Sequence, residues 1–125
     1  PEKLVCPDTQ SYLAELERLI GGSDADGGLT ALIVQRRETG RWLKKQLGDR
    51  VRVLEPTDTL PASGVVLLTL AIAKGLEFDH VIIADADGRD YPDTPLARRR
   101  LYTAISRATH RITLLAQGAL TPLLD

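Results

Sequence analysis

The chain has 125 residues, 43% of them hydrophobic, and a formal net charge of -1. This fits one ordinary domain around a single core and excludes a disordered or fibrous chain. Near-zero charge argues against gripping nucleic acid by bulk electrostatics and leaves only a local patch for that purpose.

The first residue is Pro1 rather than Met, so the expectation is a piece cut from a longer protein. Cys6 is the only cysteine. With no internal partner and no His or Cys at ligand spacing nearby, it reads as a spectator thiol. Asp8 can cap a helix whose Leu13, Leu16, Leu19 and Ile20 share one face, with Gly21-Gly22 as its stop and GGSDADGG as a connector. TALIVQ, from Thr30, reads as a strand, and ETGRWLKKQLG as a helix that turns Trp42, Leu43 and Leu47 inward and stops at Gly48. RVRVLEP is a second strand closed by Pro56, and TDTLPASG a loop. VVLLTL and HVIIADA are apolar enough for central strands. After the loop DGRDYPDTP, Asp93 or Thr94 caps a helix over LARRRLYTAISRA with Pro95 in its first turn. RITLLAQ is the last strand, and GALTPLLD trails off.

Strands alternating with helices imply an α/β domain with a mainly parallel sheet, residues 1–125 forming one unit. Ligands in such sheets gather at the carboxyl ends of strands, so the loops after Leu70, after Ala84 and before the final strand are expected on one rim. No apolar run is long enough to cross a bilayer and no secretion-type leader opens the chain. The expected location is cytoplasmic, with no membrane partner.

The chemistry narrows by elimination. No phosphate loop of the G-x-x-x-x-G-K-[ST] kind is present, so the chain cannot cradle a triphosphate alone. No Ser-His-Asp arrangement is credible around Ser106, His80 or His110. Asp85, Asp87, Asp90 and Asp93 lack the Gly and terminal Glu of a calcium loop, so no metal site is expected. Lys74, Gly75 and Glu77 have two readings: a turn with a surface Lys-Glu pair, or a loop that meets an anion or a diol. Arg107, flanked by Ser106 and Ala108, can offset a helix dipole or project a rigid fork toward phosphate. Arg98, Arg99 and Arg100 form either a solvated helical face or phosphate contacts alongside Arg107, His110 and Arg111.

Two segments together carry a resemblance. TLAIAKGLEFDHVII resembles motif V, and RRRLYTAISRATHRITLL motif VI, of the UvrD/Rep group of superfamily-one helicases. The match covers roughly the second half of the chain. It implies a RecA-like three-layer domain, the second of two motor domains that enclose ATP and Mg2+ in the cleft between them. On this resemblance Arg107 is the finger that contacts the γ-phosphate, Glu77 contacts the ribose, Gly75 lies where the loop nears the phosphates, and Lys74 stands beside them. Thr69, Arg99 and Arg100 fall to nucleic acid. Ala71 stands where many relatives carry a strand-contacting His, Ser106 where many carry Thr, and Ala97 where an acid often precedes the paired arginines. AKGLEFD, LYTAISRATH and GALTPLL look closest to the HelD subgroup, whose members use ATP to help release bacterial RNA polymerase from nucleic acid. The implied partners are the first RecA-like domain of the same polypeptide and single-stranded nucleic acid or RNA polymerase. Two other readings are a nucleic-acid-binding module built on the basic helix and a degenerate RecA-like domain kept for protein contacts.

Overall fold

Blocks of Val, Ile, Leu and Ala form the strands of a single sheet, and the residues between them supply two layers of helix. The computed structural model describes residues 1–124, apart from the side chain of residue 24. In chain order the elements are β1 (Glu2–Cys6), α1 (Thr9–Asp26), β2 (Leu29–Val34), α2 (Arg37–Leu47), β3 (Arg52–Val53), β4 (Gly64–Thr69), α3 (Leu70–Ala73), β5 (Phe78–Ile83), α4 (Pro95–Ile105) and β6 (Ala108–Gln117). The six strands lie in the order β1-β6-β5-β2-β4-β3. Every pairing between them is parallel.

Side-chain alternation divides the core between the two faces. Leu32, Val34, Val65, Leu67 and Ile82 pack against Leu16 and Ile20 of α1 and Leu43 and Leu47 of α2. Ala31, Ile33, Val66, Val81 and Ile83 face the other way, toward Ala73 of α3 and Leu101 and Ala104 of α4. β2 is buried along its whole length, as a central strand covered on both faces must be. The result is the expected three-layer α/β domain.

Several boundaries differ from expectation. Gly21 and Gly22 do not stop α1. They are exposed and meet nothing that forces a break, and the helix runs on to bury Ser23, whose hydroxyl bonds that of Thr30. The stop is Gly27, at φ 78°, whose N–H donates to the Ser23 carbonyl at 3.1 Å. The strand expected over Arg50 to Pro56 shrinks to two residues, because Gly48–Arg50 winds into a 3-10 turn and Arg52 and Val53 both stay exposed at the sheet edge. The helix after Pro95 ends at Ile105, capped at its start by Thr94, and Ala108 belongs to β6. β1 and α3 occupy stretches where neither strand nor helix was expected.

Candidate functional site

In a parallel sheet the chain must travel from the carboxyl end of one strand to the amino end of the next. That requirement cuts the segment Thr69 to Glu77 in two. Thr69 ends β4 at the carboxyl edge, level with Val34 of β2. Glu77 immediately precedes β5 at the amino edge, where Phe78 lies beside Ala108 of β6. The expected common rim is therefore corrected: the loops after Leu70 and Ala84 start at the carboxyl edge, whereas the turn before β6, with Arg107, lies at the amino edge.

Arg107 and the approach to β5 are brought together there. The Phe78 N–H donates to the Arg107 carbonyl at 2.9 Å, and the Thr109 hydroxyl donates to the Phe78 carbonyl at 3.2 Å. These bonds fix the backbone on either side of Arg107. Its side chain is less well satisfied. One terminal nitrogen reaches the Leu76 carbonyl at 3.5 Å, the other the Ser106 hydroxyl at 3.4 Å, and the buried Nε has no partner. Both contacts are at the long limit of hydrogen bonding and neither is to a carboxylate. A buried donor left unpaired costs about 1–3 kcal/mol, so an anion arriving at the guanidinium would recover that cost. None of these side-chain bonds goes to a terminal carbonyl of α4.

Lys74, Gly75 and Glu77 are exposed around this point. Among the described residues Lys74 and Glu77 do not form an ion pair with each other, so the surface-pair reading lacks its contact. Gly75 adopts φ 81°, which only glycine takes without strain, and the space where a Cβ would sit is open. The loop is thus shaped to turn sharply and leaves room beside its backbone. The unpartnered Arg107 Nε and the exposed backbone at Gly75 are the groups here whose chemistry suits an anion. Among the described residues no group of three or more His, Cys, Asp or Glu could hold a metal ion.

Thr69 stands at the other end of this segment, in a cleft that reaches Leu76. It is half-buried and, with Arg37, lines both a cleft of about 670 Å³ and the adjoining one of about 360 Å³, where Arg41 and Lys44 also stand. Lys74 lines the larger cleft. Arg99 and Arg100 are exposed on α4 and line neither cleft, so the three residues assigned to nucleic acid do not converge on one site. The basic face of α2 was missed in the sequence. Arg37, Arg41 and Lys44, spaced four and three residues apart, already marked one helical stripe.

Residues 64–115 match the UvrD-like helicase C-terminal domain family. The C-terminal domain of a possible DNA helicase from Lactobacillus plantarum WCFS1 is 34% identical and superposes with a TM-score of 0.89, over all of this chain and 78% of that one. The chain belongs to the UvrD-like helicase C-terminal domain family. A second similar structure, the C-terminal domain of the DEAD-box protein Dbp5, shares 16% identity at a TM-score of 0.64 over 94% of this chain and 77% of that one. At that identity it speaks for the fold alone, the RecA-like α/β architecture. The comparison with curated proteins found no match. For this UvrD-like domain, the meeting of Arg107 with the Leu76–Glu77 turn is therefore the juxtaposition that has to be explained.

Proposed function

We propose that this chain is the second motor domain of an ATP-dependent UvrD-like helicase or translocase, and that it supplies Arg107 as an arginine finger to ATP held by a first RecA-like domain. The single observation carrying the proposal is the half-buried Arg107 guanidinium beside the Leu76 carbonyl, with its Nε unpaired and no carboxylate against it. ATP and Mg2+ are bound mainly by the first domain. Closure of the cleft brings Arg107 to the γ-phosphate, Gly75 alongside the phosphates with Lys74 nearby, and Glu77 to the ribose hydroxyls. Arg107 then stabilises charge that develops on the transferred phosphoryl group.

The cleft lined by Arg37, Arg41, Lys44 and Thr69 is a path for single-stranded nucleic acid at the opposite edge of the sheet, with Arg99 and Arg100 as outlying phosphate contacts. Within the family, the stretches around Gly75, Ser106 and Leu120 favour the HelD type, in which the motor acts to release RNA polymerase. ATP-driven release of RNA polymerase from a DNA template by the full-length parent tests that assignment. Unwinding activity without release would place the parent among the DNA helicases instead.

Two measurements test the nucleotide contacts. This chain alone carries only the lid side of the cleft, so calorimetry should detect no ATP binding tighter than about 1 mM, a free energy near -4 kcal/mol. Micromolar affinity would contradict a lid role. In the full-length parent, Glu77→Ala should raise KM for ATP several-fold and leave kcat within about threefold, because a ribose contact is alike in ground and transition states. A fall in kcat with unchanged KM would remove Glu77 from the ribose.

A further inference from the structure

Another pocket lies at the carboxyl edge, on the far side of Gln35 from the basic cleft and without Arg107 in its lining. β2 leads into α2 on one face of the sheet, and β5, its neighbour, leads toward α4 on the other. Connections that leave adjacent strands toward opposite faces open a crevice between the strand ends, the common ligand position in open parallel sheets. Here the crevice is a cleft of about 500 Å³ whose lining includes Tyr12, Trp42, Asp85, Asp87, Asp90 and Gln117.

Its lining carries three carboxylates, two aromatic rings and two guanidiniums, those of Arg36 and Arg89. Asp85 is only 4% exposed. One of its oxygens accepts the Gln35 N–H at 2.7 Å, and the other, buried, has no partner. Asp87 spends one oxygen on the Arg89 and Asp90 amides, at 3.0 and 2.8 Å. The only cation paired within the group is Arg36, whose Nε donates to Asp90 at 2.9 Å. The three carboxylates thus outnumber the two guanidiniums by one, and of the two Arg36 is the one bonded to a carboxylate. Burial, with Asp90 and Asp87 nearby, raises the Asp85 carboxyl to about 7, and burial with the neighbouring Asp90 also raises Asp87. The Tyr12 and Trp42 rings lie 6.3 Å apart, inclined by 30°, and border the same cleft. Aromatic rings beside under-compensated carboxylates are what a guanidinium or ammonium group requires.

We infer that this crevice is a recognition pocket for a basic side chain, arginine or lysine, presented by a partner polypeptide. The cation enters between the Trp42 ring and Asp87, and Asp85 with its unpaired oxygen forms the floor. A peptide side chain suits the cleft better than a metal ion, because the described carboxylates form no cluster able to hold one. The inference does not depend on the nucleotide role of Arg107.

Trp42 is the only tryptophan in the chain, so its fluorescence reports the pocket directly. The probes are blocked tripeptides, acetyl-Gly-Arg-Gly-amide and acetyl-Gly-Lys-Gly-amide, with the citrulline peptide as a neutral isostere. Either cationic peptide should change the Trp42 emission saturably at pH 8, and the citrulline peptide should bind at least tenfold more weakly. Asp87→Asn keeps an oxygen for the Arg89 and Asp90 amides and should lose tenfold or more in affinity while retaining the wild-type circular dichroism. No saturable change with either cationic peptide up to about 10 mM, a free energy near -3 kcal/mol, would overturn the inference. So would an equal response to citrulline, or undiminished binding in Asp87→Asn.

Discussion

Arg107→Ala in the full-length parent should lower kcat for ATP hydrolysis by on the order of 10³-fold or more, the contribution of comparable fingers, with a much smaller effect on ATP binding. The asymmetry follows from where the charge is. On the proposed function, the first domain and its Mg2+ would already hold and neutralise the γ-phosphate in the ground state, whereas in the transition state new charge would spread over the equatorial oxygens that a finger faces. Arg107→Lys should rescue little. Lysine keeps the charge, but a single ammonium cannot engage two phosphate oxygens as the planar fork does, and its shorter stem falls short of the closed cleft. Backbone geometry should survive both changes, because the Phe78 N–H bond uses the Arg107 carbonyl and not its side chain. If Arg107→Ala stayed within about threefold of wild type in kcat, a barrier change of only about 0.65 kcal/mol, Arg107 would be a packing residue.

The largest stability effect is expected at Asp85 and depends on pH. Burial lifts this carboxyl from the usual range near 4 to about 7, so the folded chain holds a proton there that the unfolded chain has released. Between those two values the folded state binds more protons, and stability from this group falls as pH rises. It is fully present below about 4 and gone above about 7, a difference on the order of 4 kcal/mol. Asp85→Asn leaves an oxygen to accept the Gln35 N–H and removes the titration. Relative to wild type, the variant should therefore gain in urea midpoint from pH 5 to pH 8. Parallel midpoints for the two proteins across that range would contradict a buried, proton-holding Asp85.

The layers of this fold were legible because β2, β4 and β5 each hold an apolar block, ALIV, VVLL and VII, separated by stretches with helical periodicity or turn residues. β1 was not legible. It is an edge strand paired only with β6, and of its five residues only Cys6 is buried, so burial imposes no pattern on the rest. α3 is a single turn of four residues, too short to show a period. Gly21 and Gly22 misled because a glycine pair permits a helix end without compelling one, and the decisive signal, the left-handed Gly27, is a backbone property. The site was legible in part. Gly75, Glu77 and Arg107 stood out through the paired motifs, but local residues around Arg107 allowed a dipole role equally well. The contact with Leu76, from a turn 31 positions earlier, is visible only in the folded chain. The acidic crevice escaped because Gln35 and Asp85, 50 positions apart, meet only when β2 and β5 pair.

The central claim is tested most directly by a structure of the full-length parent trapped with ADP, Mg2+ and aluminium fluoride. The Arg107 guanidinium should donate to the fluoride that mimics the γ-phosphoryl group at about 2.8 Å, with Glu77 on the ribose. A closed, nucleotide-filled cleft in which Arg107 stays on the Leu76 carbonyl, more than about 4 Å from the fluoride and so beyond hydrogen-bond reach, would contradict the account.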